Sequence, residues 1–163
     1  LLICQFINGY GHPAVLKIIG EQLEKLHNTD LSVASHEAAG ILAKRLAGIL
    51  PKDLTRILFV NSGSEGVEAA VFIATYYWTL IESPRKRIIA FAQGYHGSTL
   101  VSRAIGNLTE TSYIYEKPFP VTHIDLPYLP KKLRSDESCQ DLLDIFADAL
   151  NENKGDDYQY VLL

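Results

Sequence analysis

Short apolar runs bounded by turn residues alternate with stretches of helical periodicity, and this alternation constrains the fold more than any other feature. Ile57-Leu-Phe-Val60, Arg87-Ile-Ile-Ala-Phe91 and Tyr158–Leu163 read as buried strands. A short strand is expected near Val121–Ile124. Helices are expected over 13–27, from a cap at Ser35 to about 49, over 67–81, over 99–105, and from a cap at Ser135 to about 150. Their inward faces are read as Val15, Ile18, Ile19, Leu23 and Leu26, then Ile41, Leu42, Leu46 and Ile49. In the third helix they are Val67, Ala70, Val71, Ala74, Tyr77, Trp78 and Ile81, and in the last Leu142, Leu143, Ile145, Phe146 and Ala149. Strands alternating with helices imply a mostly parallel sheet with helices on both faces, an α/β three-layer sandwich. Residues 106–134 hold four of the seven prolines and read as a long irregular connection.

Composition narrows the class. A chain of 163 residues, 47% apolar and 21% charged, is sufficient for a packed core. The net charge of −4 gives no electrostatic reason to expect nucleic acid or an anionic membrane as partner. The longest apolar runs fall short of a membrane span. Cys4 and Cys139 are too few for a disulfide framework, which suits a reducing compartment. His12, His27, His36 and His123 lack metal-ligand spacing, so no metal is expected. The chain holds no Met and stops within an apparent strand, and it is expected to be an internal piece of a longer protein.

Chemistry is concentrated at two junctions. Asn61-Ser-Gly-Ser-Glu65 joins the first strand to the third helix. There the sequence supports two readings. Gly63 lets the backbone approach an anion closely, a helix N-terminus offers unpaired N–H groups, and Ser62 and Ser64 add hydroxyl donors, so the turn can hold a phosphate. Ser62-Gly-Ser-Glu65 equally fits a capping box, with Ser62 bonding the Glu65 amide and Glu65 reaching back to the Ser62 amide. Neither a Walker A loop nor a G-x-G-x-x-G fingerprint is present, which disfavours a nucleotide. The second junction, Gly94-Tyr-His-Gly97, follows the next strand and should reach the same edge of the sheet. Tyr95 between glycines can lie flat against a planar ligand, or simply pack at the surface; His96 can be structural or catalytic. Together the two junctions suit a flat, phosphorylated ring. Glu65 and Glu68 read as capping and surface residues.

Gly11-His-Pro13, Asn61-Ser-Gly-Ser-Glu65 with Val67-Glu-Ala-Ala70, and Tyr95-His-Gly97 with Ser98-Thr99 together resemble the class III aminotransferases. These are fold-type-I enzymes dependent on pyridoxal 5'-phosphate. Tyr76-Tyr77-Trp78 and its spacing to Tyr95 are most similar to the omega-amino acid–pyruvate transaminase branch. The resemblance implies that residues 35–163 are part of the large cofactor-binding domain, with 1–34 a segment and helix leading into it. It implies that Gly63 and Ser64 hold the cofactor phosphate, that Tyr95 stacks on the ring, and that His96 and Gly97 shape the loop. Asp30 and Leu31 would lie near the substrate mouth, where the branch often carries aromatics, and Gly66 stands where Ala or Ser is usual. The resemblance also implies a homodimer and ping-pong transfer from an amine or amino acid to an oxo-acid such as pyruvate. The expected location is cytoplasmic or mitochondrial. The lysine that bonds the cofactor and the aspartate that pairs with its ring nitrogen are expected beyond residue 163, so no catalytic residue is assigned here and this piece alone is expected to be inactive. The rival readings are a non-catalytic homologue serving as a binding module and an unrelated phosphate-binding α/β module.

Overall fold

The structure is a computed structural model that describes residues 9–30, 32–83, 85, 87–107, 118–125, 136–152 and 158–160. The chain forms two compact units, Leu1–Leu58 and Phe59–Leu163.

The first unit carries two helices, α1 (Pro13–Lys25) and α2 (Glu37–Ile49). Proline opens α1, where its missing N–H costs nothing and its fixed φ suits the helix. The cap of α2 is His36 rather than Ser35: its Nδ1 accepts the Ala38 N–H at 3.1 Å. An imidazole nitrogen two residues before the donor does the work expected of a hydroxyl. Lys25 Nζ and Glu37 Oε2, 2.8 Å apart, bridge the two helices at the surface. No residue of either helix is buried. The apolar stripes anticipated as core-facing, including Ile18, Ile19 and Leu23 on α1 and Ile41, Leu42 and Ile49 on α2, are exposed. Periodicity correctly marks a side meant for apolar contact, but it does not supply the surface that covers it.

The second unit runs α3 (Gly63–Leu80), β1 (Arg87–Phe91), α4 (Leu100–Ile105), β2 (Val121–Ile124), α5 (Asp136–Glu152) and β3 (Tyr158–Tyr160). The three strands form one parallel sheet in the order β2-β1-β3. Ile88 of β1 pairs with Val121 and with Gln159, so β1 is the centre. Its alternating side chains serve two layers. Ile88 and Ala90 pack with Val67 of α3 and Ile105 of α4. Ile89 packs with Ile124 on the other side, where Phe91 meets Phe146 of α5 at a ring separation of 6.2 Å. A central strand buried on both faces needs a continuous apolar run, and Ile88-Ile-Ala-Phe91 is one. The expected three-layer arrangement is therefore present.

Several expectations differ from what forms. Residues 57–60 make no strand; Leu58 is 63% exposed, and no sheet neighbour pairs with this run among the described residues. An apolar run becomes a strand only where a partner supplies hydrogen bonds. On α3, Val67 is buried while Tyr77 and Ile81 of the anticipated inward face are exposed, as are Phe72, Ile73, Tyr76 and Leu80. This helix is apolar almost all round, so periodicity could not select its covered side. On α5, Phe146 and Ile145 are half-buried but Leu143 is 60% exposed. The Ser135 cap, most of the 106–134 connection and residues 161–163 lie outside the described residues. No described helix is long and apolar enough to cross a membrane.

Candidate functional site

The site is built where α3 begins and where the chain leaves the carboxyl end of β1, both within the second unit. Ser62 caps α3 with extended backbone, its Oγ accepting the Glu65 N–H at 3.2 Å. Glu65 reaches back to Asn61, not Ser62: its Oε2 accepts from the Asn61 backbone N–H at 2.7 Å and from Nδ2 at 3.1 Å. The capping half of the two readings is thus realised, shifted by one residue. It leaves the side of the turn at Gly63 open. A side chain at Gly63 would meet nothing within 4 Å, so a ligand can approach the first-turn amides of an 18-residue helix from that direction. Capping engages the Asn61 and Glu65 N–H groups and not those of Gly63 and Ser64.

Ser64 joins this turn to the second junction. Its Oγ accepts the Ser98 N–H at 3.0 Å across 34 residues of sequence. A hydroxyl has two lone pairs and one proton, so the Ser64 O–H remains able to donate to a ligand. The loop passes so close at this point that only glycine fits. Gly97 has φ +126°, and a Cβ there would collide with Ser64 Oγ, with Ser102 Oγ and with the Ser64 backbone. A Cβ on Gly94 would come within 3.0 Å of both His96 and the Phe91 carbonyl. The glycines flanking Tyr95 and His96 are thus imposed by close packing.

Between them the two side chains part company. Tyr95 is 50% exposed, leaving its ring available to a ligand. His96 is 7% exposed, and its Nε2 has no hydrogen-bond partner among the described residues. Burial pushes its pKa below the ordinary histidine value, and the nearby His123 lowers it further. His96 is therefore neutral near pH 7. His123 is tied down separately, its Nε2 lying 2.8 Å from the Ile105 carbonyl. At the strand ends, Gln93 Nε2 donates to Asp125 Oδ1 at 3.1 Å, linking the exits of β1 and β2.

The far side of the loop is anchored in the core. Ser102 Oγ accepts the Thr99 N–H at 3.0 Å and lies 2.8 Å from Thr99 Oγ1, closing the first turn of α4. Ser102, Ala104 and Ile105 are fully buried. Glu68 is half-buried rather than a free surface residue, and its Oε1 accepts the Val101 N–H at 3.0 Å. Sequence reasoning gave no site role to Glu68, Ser98, Thr99 or Ser102. The available signal for Glu68 was its position one helical turn after Ser64, on the same side of α3.

Gly63, Ser64, Tyr95, His96 and Gly97 thus meet in one part of the second unit. Asp30 belongs to the first. It closes a local turn, Oδ1 accepting the Ser32 hydroxyl at 2.6 Å and the Ser32 N–H at 2.8 Å, and these bonds hold its carboxyl below the usual range. Leu31 lies outside the described residues.

The sequence profile of the class-III aminotransferases matches residues 2–158. The chain belongs to this family. It is 34% identical over 124 residues to an adenosylmethionine-8-amino-7-oxononanoate aminotransferase of Synechococcus elongatus, covering 76% of this chain and 28% of that protein. Its fold is similar to that of an (S)-enantioselective omega-transaminase from Thermomicrobium roseum, with a TM-score of 0.79 at 22% identity over 93% of this chain and 36% of that one. An amine transaminase from an uncultivated Pseudomonas species, solved with its cofactor bound, superposes with a TM-score of 0.77 at 23% identity over the same shares. The chain spans roughly a third of the length of each of these proteins.

Proposed function

We propose that the protein is an aminotransferase that uses pyridoxal 5'-phosphate, and that this chain supplies the phosphate-holding turn and one face of the ring site. The observation that carries the reading is the Ser64–Ser98 hydrogen bond, which joins the open end of α3 to the loop bearing Tyr95. A phosphorylated flat ring needs an anion site and an aromatic face held side by side, and membership of the class-III family supplies the chemical context. The residues present fit the group: the space beside Gly63 is open, the Ser64 O–H can donate, and half of Tyr95 is uncovered.

In this reading the Gly63 and Ser64 amides and the Ser64 hydroxyl bind phosphate oxygens, with the α3 N-terminus favouring their charge. Tyr95 lies against the ring and fixes its plane. His96, buried and neutral, sets the path of the loop from beneath. Gly97 brings that loop onto α3. Pyridoxal phosphate, when bound, supplies an electron-withdrawing ring that stores the charge left as a C–H bond beside the transferred nitrogen breaks. No residue of this chain is assigned to the proton transfer. The donor is an amine or amino acid and the acceptor an oxo-acid such as pyruvate. Residues 35–163 form part of the large domain, 1–34 lead into it, and the protein works as a homodimer.

The test compares pyridoxal phosphate with inorganic phosphate. Replacing Tyr95 by alanine should weaken pyridoxal phosphate binding about 10-fold or more, the order expected for a lost stacking partner, and leave inorganic phosphate unaffected. Equal losses for both ligands would remove Tyr95 from the ring site. A chain that bound phosphosugars as well as pyridoxal phosphate would favour a general phosphate module instead.

A further inference from the structure

Two acceptors on one side of α3 hold two donors of the segment that follows Tyr95. Ser64 Oγ takes the Ser98 N–H and Glu68 Oε1 takes the Val101 N–H, each at 3.0 Å. Residues 64 and 68 are one helical turn apart, so both face the same way. The donors are three residues apart, straddling the start of α4. Thr99 and Ser102 already serve one another there, with the Thr99 N–H bonded to Ser102 Oγ. The Val101 N–H, among the unpaired amides of the first turn, is met from α3 instead. On its far side the segment runs into the fully buried residues Ser102, Ala104 and Ile105. On its near side a Cβ added to Gly97 would collide with Ser64 of α3. Tyr95 itself is 50% exposed, and among the described residues its side chain makes no hydrogen bond that would fix its distance from the turn at Gly63.

We propose that Glu68 is a positioning residue of the cofactor site: together with Ser64 it clamps residues 98–101 against α3 and so sets the spacing between the anion-binding turn and the Tyr95 ring. The proposal rests on the reading of this site as a pyridoxal phosphate pocket. It makes a distinction that a purely structural cap would not. A ligand that spans both halves, with a phosphate at Gly63 and a ring at Tyr95, senses the spacing. Inorganic phosphate touches only the helix end and does not.

The experiment uses the full chain as wild type, Glu68→Ala and Glu68→Gln. Affinities for pyridoxal phosphate and for inorganic phosphate are measured together with backbone amide exchange at Ser98 and Val101. Loss of the Glu68 acceptor should weaken pyridoxal phosphate binding by up to about 10-fold, the upper end of the range for one neutral hydrogen bond. It should hasten exchange at both amides and leave phosphate affinity within about twofold. Glu68→Gln should restore wild-type behaviour, because its amide oxygen accepts the same N–H. Glu68→Asp, whose oxygen is withdrawn by one methylene, carries the test if the alanine chain does not fold. The proposal is overturned if the weakened variant binds pyridoxal phosphate as the wild type does, if phosphate affinity falls in the same proportion, or if glutamine fails to rescue. A wild-type chain that shows no preference for pyridoxal phosphate over inorganic phosphate defeats the functional reading itself, a result distinct from any of these.

Discussion

Gly97 tolerates substitution least of all the residues in the site. Its φ of +126° lies where side chains are strained, and three atoms already occupy the place of its Cβ. Gly97→Ala should destabilise the fold by about 1–3 kcal/mol, the range for a residue forced into such backbone geometry. Urea denaturation measures the loss, and a chain as stable as wild type would show that the approach of the loop to Ser64 is looser than described. His96 makes a prediction of a different kind. Burial lowers its pKa in the folded state, with His123 adding to the effect. The unfolded chain therefore binds more protons in the window below the ordinary histidine value of about 6.5. The contribution of His96 is fully present above that value and is lost as pH falls through it toward the folded pKa. The urea midpoint should drop between pH 7.5 and 5.5, and His96→Asn should flatten this drop; an unchanged slope would contradict the burial argument.

At the scale of elements, β1 does the most to place the site. Its side chains alternate between the α3/α4 layer and the α5 layer, and its carboxyl end releases the loop that carries Tyr95. Ile88→Ala should cost about 2–5 kcal/mol, the range for a buried large-to-small change, because Ile88 is nearly inaccessible and touches helices from two elements. A cost below about 1 kcal/mol would mean that the layer closes over the cavity. Much of this element was legible in the sequence: Arg87–Phe91, Val121–Ile124 and the α4 segment form where the residues suggested. What was not legible has physical causes. Ile57–Val60 has the composition of a strand, but pairing depends on a neighbour that composition does not reveal. The cap of α2 and the return bond of Glu65 at the start of α3 each differ by one residue from expectation, because His36 and the Asn61 N–H offer groups as serviceable as those of Ser35 and Ser62. The five residues proposed for the site stand at two junctions that local motifs mark, since glycine spacing and helix starts are written within a few positions. Glu68 was hidden, because its partner Val101 lies 33 residues away.

At the scale of the whole molecule, the central claim is that one ligand bridges two junctions separated by more than thirty residues of chain. Large apolar residues of α1, α2 and α3 are left exposed. The measurement that tests the claim most directly is a titration of the isotopically labelled chain with pyridoxal 5'-phosphate, following backbone amide shifts residue by residue. The account predicts saturable shifts concentrated at Gly63, Ser64, Tyr95 and Gly97, with inorganic phosphate reproducing those at Gly63 and Ser64 alone. Shifts confined to other parts of the chain, or a pyridoxal phosphate response indistinguishable from that to phosphate, would contradict it.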